Sequence, residues 1–312
     1  MDQNSAPNLI LVKTALDKLF DQATIEMAVV GKATALDPIL FTQDTAYNAA
    51  VVSSVIGGGG YFQTTTDDVP LVPEANVAAA AAKTSLVYQF IKNLPIARTF
   101  MADQQLSAVS KSVRQQALTY GASRDRKAFS VYANGFTGAG NSTTIDNVPL
   151  FSNSHVNENG DTVDNLETGA LTDANLNIMV NSLRTQISQT GVILGYEPKA
   201  LLTPSILHST GMQVAKSVLR AGTGNNDLNY FSEMYPGMKV VYSPFLDSTS
   251  TTAYFLTSST NGVMRAEREA FFTELIDWRY QPNDQYLYKM RAREVTDAIS
   301  YDGTVGSNGT TA

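Results

Sequence analysis

Residues able to bind a metal or to act as a catalytic acid or base are few in this sequence. The chain has two histidines, His155 and His208, and neither has a histidine partner at the i+3 or i+4 spacing that places two ligands on one helix face. There is no cysteine, which excludes disulfides, thiolate nucleophiles and cysteine-ligated metals. A metal site would have to collect carboxylates from distant parts of the chain, and we predict none.

Paired carboxylates also favour structural over catalytic interpretations. The pairs are Asp67-Asp68, Glu267/Glu269 and Glu274/Asp277. Glu267 and Glu269 share one face of a predicted strand with Arg265, which indicates ion pairing. The run Gly57–Gly60 is not followed by the Lys-Ser/Thr of a phosphate loop, and no G-x-S-x-G motif is present. A Ser-His-Asp triad built from distant residues stays open, but we predict no catalytic or cofactor-binding residue and no enzyme.

The composition predicts a surface with few charged side chains. Only 16% of the 312 residues are charged, against about a quarter in typical domains. Such a surface suits a protein in lasting contact with other proteins. A net charge of −7 argues against a dedicated nucleic-acid binder. Since no apolar run reaches membrane-span length and no signal peptide is recognisable, we predict no membrane partner and a cytoplasmic site of synthesis and use.

A long helix, predicted at residues 103–132, is the element around which other features must be arranged. Its apolar residues keep the spacing of one helix face: Leu106, Val109, Val113, Ala117 and Tyr120. Asp103 is the predicted N-cap. After Gly121 the apolar stripe loses phase, so the helix either bends there or gives way to a second helix near Ser123.

Before the helix, residues 61–96 predict a two-stranded excursion that runs out and back. The stretch contains three prolines and has strand-like patches at Tyr61-Phe62 and Leu86–Ile91. A two-stranded ribbon is marginally stable alone in water. This excursion therefore needs another surface to lie on.

After the helix, residues 171–242 alternate between helix and strand. Thr172 or Asp173 is predicted to cap one helix, and Thr203-Pro204 to start the next. Residues 261–262, Asn-Gly, predict a hairpin, and the chain then returns to strand. Fold class α+β follows.

The last quarter of the chain contains its only tryptophan, Trp278. Residues 286–293 alternate as a strand with one apolar face. Trp278, Arg279 and Tyr280 have the composition of an interface hot spot, and we predict an anchor at a packing interface in preference to a ligand-stacking platform.

In this order, the features resemble the major capsid proteins of tailed bacteriophages, which have the Hong Kong 97-type fold. The segments that carry the resemblance are 69–74 (VPLVPE), 133–138 (ANGFTG), 150–155 (LFSNSH), 171–176 (LTDANL) and 197–204 (EPKALLTP). The last three are similar to the Mu-like major head subunit branch, with its L-F-S-x-x-H and P-K-x-L-x-x-P patterns. The resemblance covers about residues 40 to 300.

The resemblance implies a domain plan. It consists of an N-terminal arm (1–35), a peripheral domain (36–60 and 97–170) with the long helix as its spine, an extended loop (61–96), an axial domain (171–242), and return strands of the peripheral domain with a C-terminal tail (243–312). The extended loop is expected to lie over a neighbouring subunit. Its candidate contact residues are Tyr61, Phe62, Asp67, Asp68, Pro70, Pro73, Glu74, Lys83, Tyr88 and Lys92.

The implied function is a structural head protein that self-assembles into hexamers and pentamers of an icosahedral shell around double-stranded DNA. Its main partner is itself. Portal and separate scaffold or decoration proteins are expected beside it, the scaffold being separate because the chain has no room for a scaffolding segment. DNA contact is expected to be non-specific, and the virion capsid is expected to assemble in the host bacterial cytoplasm. No inter-subunit lysine–asparagine cross-link is predicted.

Three alternatives stay open. An encapsulin-like nanocompartment shell would enclose an enzyme in place of DNA. A soluble enzyme with a dispersed active site would have a concave pocket with perturbed titrating groups. A carbohydrate-binding or adhesive protein would consist of strands throughout, which the long helix contradicts.

Overall fold

A computed structural model describes residues 13–18, 40–45, 50–56, 79–102, 106–219 and 228–310, and these form an α+β fold. The helices are α1 (13–18), α2 (Arg98–Ala102), α3 (Leu106–Ala133), α4 (Asp173–Thr185), α5 (His208–Lys216), α6 (Tyr230–Met234) and α7 (Pro244–Asp247), with a 3-10 turn at Trp278–Tyr280. The strands are β1 (Thr42–Thr45), β2 (Ala50–Ile56), β3 (Ala79–Leu86), β4 (Tyr88–Ala97), β5 (His155–Val156), β6 (Thr162–Val163), β7 (Leu166–Glu167), β8 (Pro198–Thr203), β9 (Lys239–Tyr242), β10 (Tyr254–Ser258), β11 (Val263–Ile276), β12 (Gln285–Ala298) and β13 (Thr304–Ser307).

A four-stranded sheet is built around the long β11–β12 hairpin. Its strand order is β1-β11-β12-β4, with β1 parallel to β11 and the other pairs antiparallel. Tyr286, Tyr288 and Met290 alternate on the buried face of β12, which confirms the strand predicted at residues 286–293. This face packs under the first half of α3.

The long helix α3 is continuous from Leu106 to Ala133, so the alternative of a second helix near Ser123 is wrong. Val113 and Ala117 in its first half are fully buried against the four-stranded sheet. The residues buried by its second half belong to another cluster: Ala128, Phe129, Val131, Tyr132 and Ala133. The stripe therefore changes phase because the helix changes packing partner. The bend stays a prediction, and Asp103 lies outside the described residues.

A five-stranded sheet forms the second half of the molecule, in the order β7-β13-β10-β8-β9. Helix α4 is capped by Thr172, whose hydroxyl accepts from the Asn175 amide at 3.2 Å, as predicted. The helix predicted to start at Pro204 begins four residues later, at His208. The Ser205 amide donates instead to Asp247 Oδ1 at 2.7 Å, and a turn precedes the helix.

Two late strands belong to this five-stranded sheet, although residues 243–312 were predicted to return to the other domain. Strand β10 pairs with β13 and β8, so the hairpin predicted at residues 261–262 is wrong. The Asn261 side chain instead accepts from the Val263 amide and donates to the Ser258 carbonyl. All five residues of β10 are buried, and burial on both faces explains its central position.

The β2–β3 hairpin also differs from its predicted bounds. Strand β2 pairs antiparallel with β3, from Ala50↔Leu86 to Ile56↔Ala79, so the outgoing strand precedes the glycine run. Residues 88–96, predicted as part of the excursion, pair with β12 instead. Leu94 and Ile96 pack in the cluster beneath α3, and this burial draws β4 into the sheet. Residues 57–78 lie outside the described part of the chain.

Candidate functional site

The two histidines occupy packed positions within the subunit. His155 is fully buried, with Nδ1 2.8 Å from Asp146 Oδ2 and Nε2 3.2 Å from the Leu150 carbonyl. His208 stacks at 4.8 Å on Tyr242. Among the described residues there is no group of three or more His, Asp or Glu side chains able to hold a metal ion, and no described helix is long and apolar enough to cross a membrane.

The Asp146–His155 contact joins the loop after α3 to strand β5. Both partners of the His155 ring are oxygen acceptors, so both ring nitrogens donate when the imidazole carries two protons. Burial alone would raise the pKa of Asp146, but hydrogen bonds from His155 and Thr144 hold that pKa below its usual value. The ring also packs at 4.6 Å on Tyr301. The L-F-S-x-x-H segment is thus a structural junction.

A second buried junction fixes α3 to the β11–β12 hairpin. Arg124 Nε donates to both carboxylate oxygens of Glu294, at 2.9 and 3.0 Å, and Arg265 Nη2 donates to the same carboxylate. Burial and the Glu294 charge raise the pKa of Tyr120 beside them to about 12. Arg265 pairs with Glu294 on the neighbouring strand β12.

The candidate loop residues separate into three groups. The first lies outside the described residues: Tyr61, Phe62, Asp67, Asp68, Pro70, Pro73 and Glu74. Lys83 and Tyr88 contact their own subunit, Lys83 through Asp297 and Tyr88 through Lys127 Nζ, 4.6 Å from the ring centroid. Lys92 is exposed on β4, where it lines a groove.

The interface anchor candidates also divide. The Arg98 guanidinium lies 4.3 Å over the ring of Trp278, which packs against the cluster beneath α3. Arg279 is held by Asp277 at 3.0 Å. Tyr280 is 81% exposed, the most of the three, and is available to another molecule.

Two grooves flank β4, which has β12 as its only partner strand within the described residues. One, of about 230 Å³, is lined by side chains that include Phe90, Tyr120 and Phe271. The other, of about 350 Å³, is lined by Pro95, Phe100 and neighbours. An open strand edge beside apolar grooves is a surface on which another chain can pack.

The second half of the molecule exposes large apolar side chains around α5 and α6. The set comprises Ile206 (66%), Met212 (43%), Met234 (53%) and Tyr242 (45%). Isolated exposed apolar residues are ordinary, but several in one region are typical of protein contact surfaces.

The buried ion pairs are the features that sequence reasoning missed. Glu294 and Asp297 stand in a strand whose buried positions are otherwise mostly apolar. That mismatch was the available signal, because a buried carboxylate requires a partner. Two of the partners, Arg124 and Lys83, lie more than 150 residues away in sequence, and the third, Arg265, lies on the neighbouring strand. Such pairings depend on the fold, so the sequence could not name them.

A family described as phage capsid protein matches residues 81–306, more than half of the chain. No curated protein is significantly similar in sequence. The capsid of Myoviridae phage XM1 is 12% identical, with a TM-score of 0.52, over 89% of this chain and 92% of that one. A virus-like particle from Pyrococcus furiosus is 8% identical (TM-score 0.52, 93% and 98%). Microbacterium phage Oxtober96 is 14% identical (TM-score 0.51, 89% and 91%). At these identities the likeness concerns the fold.

Proposed function

The chain belongs to the phage capsid protein family and is a structural major capsid protein with the Hong Kong 97-type fold, whose copies form an icosahedral shell; from this premise we propose that they assemble as hexamers and pentamers around double-stranded DNA. The observation that supports self-assembly is the set of exposed apolar side chains at Ile206, Met212, Met234 and Tyr242. Apolar side chains so exposed in the lone subunit lose contact with water when copies pack together.

We assign the four-stranded sheet and the first half of α3 to a peripheral domain, and the five-stranded sheet to an axial domain that faces the capsomer axis. The observation that supports this division is the pair of separate hydrophobic clusters, one beneath α3 and one within the five-stranded sheet. Residues 243–312 contribute strands to both domains.

The extended loop is proposed to begin at β2 and to lie over the peripheral domain of a neighbouring copy. The grooves beside β4 and the exposed Ile91 and Phe272, 53% and 51% exposed, support this placement because they offer apolar area to a visiting segment. An interface of standard size, about 800 Å² per partner, stabilises a ribbon that is marginal alone.

Finer assignments follow from the resemblance. We propose membership of the Mu-like head branch, which rests on the order of residues 150–155, 171–176 and 197–204. Portal and separate scaffold or decoration proteins, and assembly in the host cytoplasm, belong to the same proposal. The basic residues of α3 are the proposed contacts to DNA: Lys111, Arg114, Arg124, Arg126 and Lys127. Of these, Arg124 forms a salt bridge with Glu294 of its own subunit.

The test replaces residues 57–78 with Asn-Gly, a dipeptide that closes a two-residue hairpin and spares β4. We expect the wild-type chain to form closed shells in electron micrographs, and the shortened chain to give folded subunits that form none. Nuclease-protected DNA inside particles from infected cells distinguishes a phage head from an enzyme-filled nanocompartment. Normal shells from the shortened chain would refute the loop assignment.

A further inference from the structure

The base of the β2–β3 hairpin carries a buried ion pair between Lys83 and Asp297. Lys83 Nζ donates to Asp297 Oδ1 at 2.5 Å, to the Ala298 carbonyl at 2.9 Å and to the Thr143 carbonyl. The three N–H bonds of the ammonium group therefore each have an acceptor. The Lys83 and Asp297 side chains are 19% and 1% exposed, so water competes little for these bonds.

The partners of Lys83 come from two segments outside its own hairpin. Asp297 and Ala298 end strand β12, and Thr143 lies in the loop after α3. Ser85, two residues along β3 on the same face, donates to the second carboxylate oxygen of Asp297. The contact therefore fixes β3 to the body of the subunit at two neighbouring positions.

At the same point Val87 and Tyr88 pack against a small cluster of Met264, Ala266 and Val295. Only Val87 separates β3 from β4, so the chain passes from the hairpin to the sheet within one residue. The seven residues of β2 span roughly 23 Å at about 3.3 Å per residue. A swing of about 10° at the base would move the far end of such a lever by about 4 Å, more than a hydrogen-bond length.

We propose that Lys83 and Asp297 are positioning residues, a clamp that sets the angle at which the hairpin leaves the subunit and so the curvature of the shell. This proposal rests on the proposed function, in which a second copy of the chain receives the hairpin. Every copy in a closed shell repeats this angle, so a fixed base narrows the range of particle sizes.

The test compares the full-length wild-type chain with Lys83→Met and with the double variant Lys83→Met/Asp297→Leu. Lys83→Met leaves a buried carboxylate without its cation and can weaken folding by itself. The double variant removes both charges, so folding recovers while the clamp stays absent. Lys199→Met, at an exposed position on β8, is the matched control.

Two readouts separate positioning from general stability. We expect amide hydrogen exchange in residues 79–86 of unassembled double-variant subunits to be about tenfold faster than in wild type, with exchange in residues 239–242 unchanged. Particles of the double variant should spread over several diameters, whereas particles of wild type and of Lys199→Met should have one diameter. If the double variant exchanged its amide hydrogens in residues 79–86 at the wild-type rate and formed particles of the single wild-type diameter, the clamp proposal would be overturned and the proposed function would stand. Absence of shells from the wild-type chain would overturn the proposed function itself.

Discussion

Buried charged groups in this subunit lie at junctions between different elements of the fold. Glu294 on β12 accepts from Arg124 on α3 and from Arg265 on β11, and Asp146 accepts from the buried His155. A buried charge is costly unless it is paired, so each junction favours one arrangement of its segments. These contacts hold the long helix and its following loop in a defined position on the sheets.

Glu294→Gln tests the junction beneath α3. The variant leaves the cation of Arg265, whose side chain is 3% exposed, without its carboxylate, and we expect a loss of about 3–5 kcal/mol in the free energy of unfolding. Glu267→Gln is the matched control, because Glu267 is 49% exposed and lies 3.9 Å from Arg124, and it should cost about 1 kcal/mol or less. Urea unfolding of unassembled subunits measures both, and equal losses would contradict a special role for Glu294.

Asp146→Asn tests the His155 junction through its pH dependence. The folded-state pKa of Asp146 lies below its ordinary value of 3.8, so its stabilisation is complete above that value and is lost as the pH falls through the folded pKa. We expect the variant to be less stable by about 1–3 kcal/mol near pH 6, with the difference shrinking toward pH 2.5. Urea midpoints across this range provide the measurement. A difference that does not change with pH would rule out a stabilising role for the ionised Asp146 carboxylate.

For single residues, the sequence correctly predicted that charged side chains form ion pairs, but it did not predict which residues pair with each other. It predicted ion pairing around Arg265, Glu267 and Glu269, and the structure pairs Glu269 with Arg291 at 3.2 Å and Arg265 with Glu294. Register shifts between residues 267 and 272 break the simple alternation of β11. A bulge depends on the partner strand, which local spacing does not contain.

At the scale of elements, the long helix connects two hydrophobic cores. Its first half packs on the four-stranded sheet, and its second half joins a cluster that includes Ala200, Leu202 and Phe255 of the five-stranded sheet. The sequence predicted the helix because its first apolar stripe is regular. It could not predict that the two halves of the helix pack against different sheets, because the second half packs against strands more than 60 residues further along the chain.

The turn that ends α3 offers a test of this connection. A Cβ added to Gly135 would lie 2.5 Å from the ring of Phe151, which stacks on Phe255 at 5.1 Å. We expect Gly135→Ala to lower the free energy of unfolding by about 1–3 kcal/mol, because the aromatic cluster has to shift. Gly237→Ala, where an added Cβ meets nothing within 4 Å, is the control. Chemical denaturation distinguishes them, and equal stability would contradict tight packing at this turn.

At the scale of the whole molecule, the subunit is incomplete by itself. The sequence indicated a protein in lasting contact with other proteins through its sparse charge, and its fold class through element order. It could not place β10 and β13 in the five-stranded sheet, because strand order depends on non-local pairing. The apolar surface around α5, and the edge of β4 that no described strand pairs with, are features that only the folded chain reveals.

Ile206→Glu tests the axial surface. Ile206 is 66% exposed, so a charge there leaves the isolated subunit folded, whereas burial of that charge between copies would be costly. We expect unchanged circular dichroism and at least a tenfold lower yield of shells by sedimentation, equivalent to about 1.4 kcal/mol per contact. Ser154→Glu, at an exposed polar site, should assemble normally. An unchanged yield for Ile206→Glu would exclude this face from the capsomer contacts.

Cryo-electron microscopy of particles formed by the purified full-length chain tests the central claim most directly. The account predicts closed icosahedral shells built from hexamers and pentamers, with the β2–β3 hairpin of each copy lying over the four-stranded sheet of its neighbour and the five-stranded sheets gathered at the capsomer axes. A monomer or small soluble oligomer at concentrations that permit assembly, or shells in which the hairpin contacts only its own subunit, would contradict it.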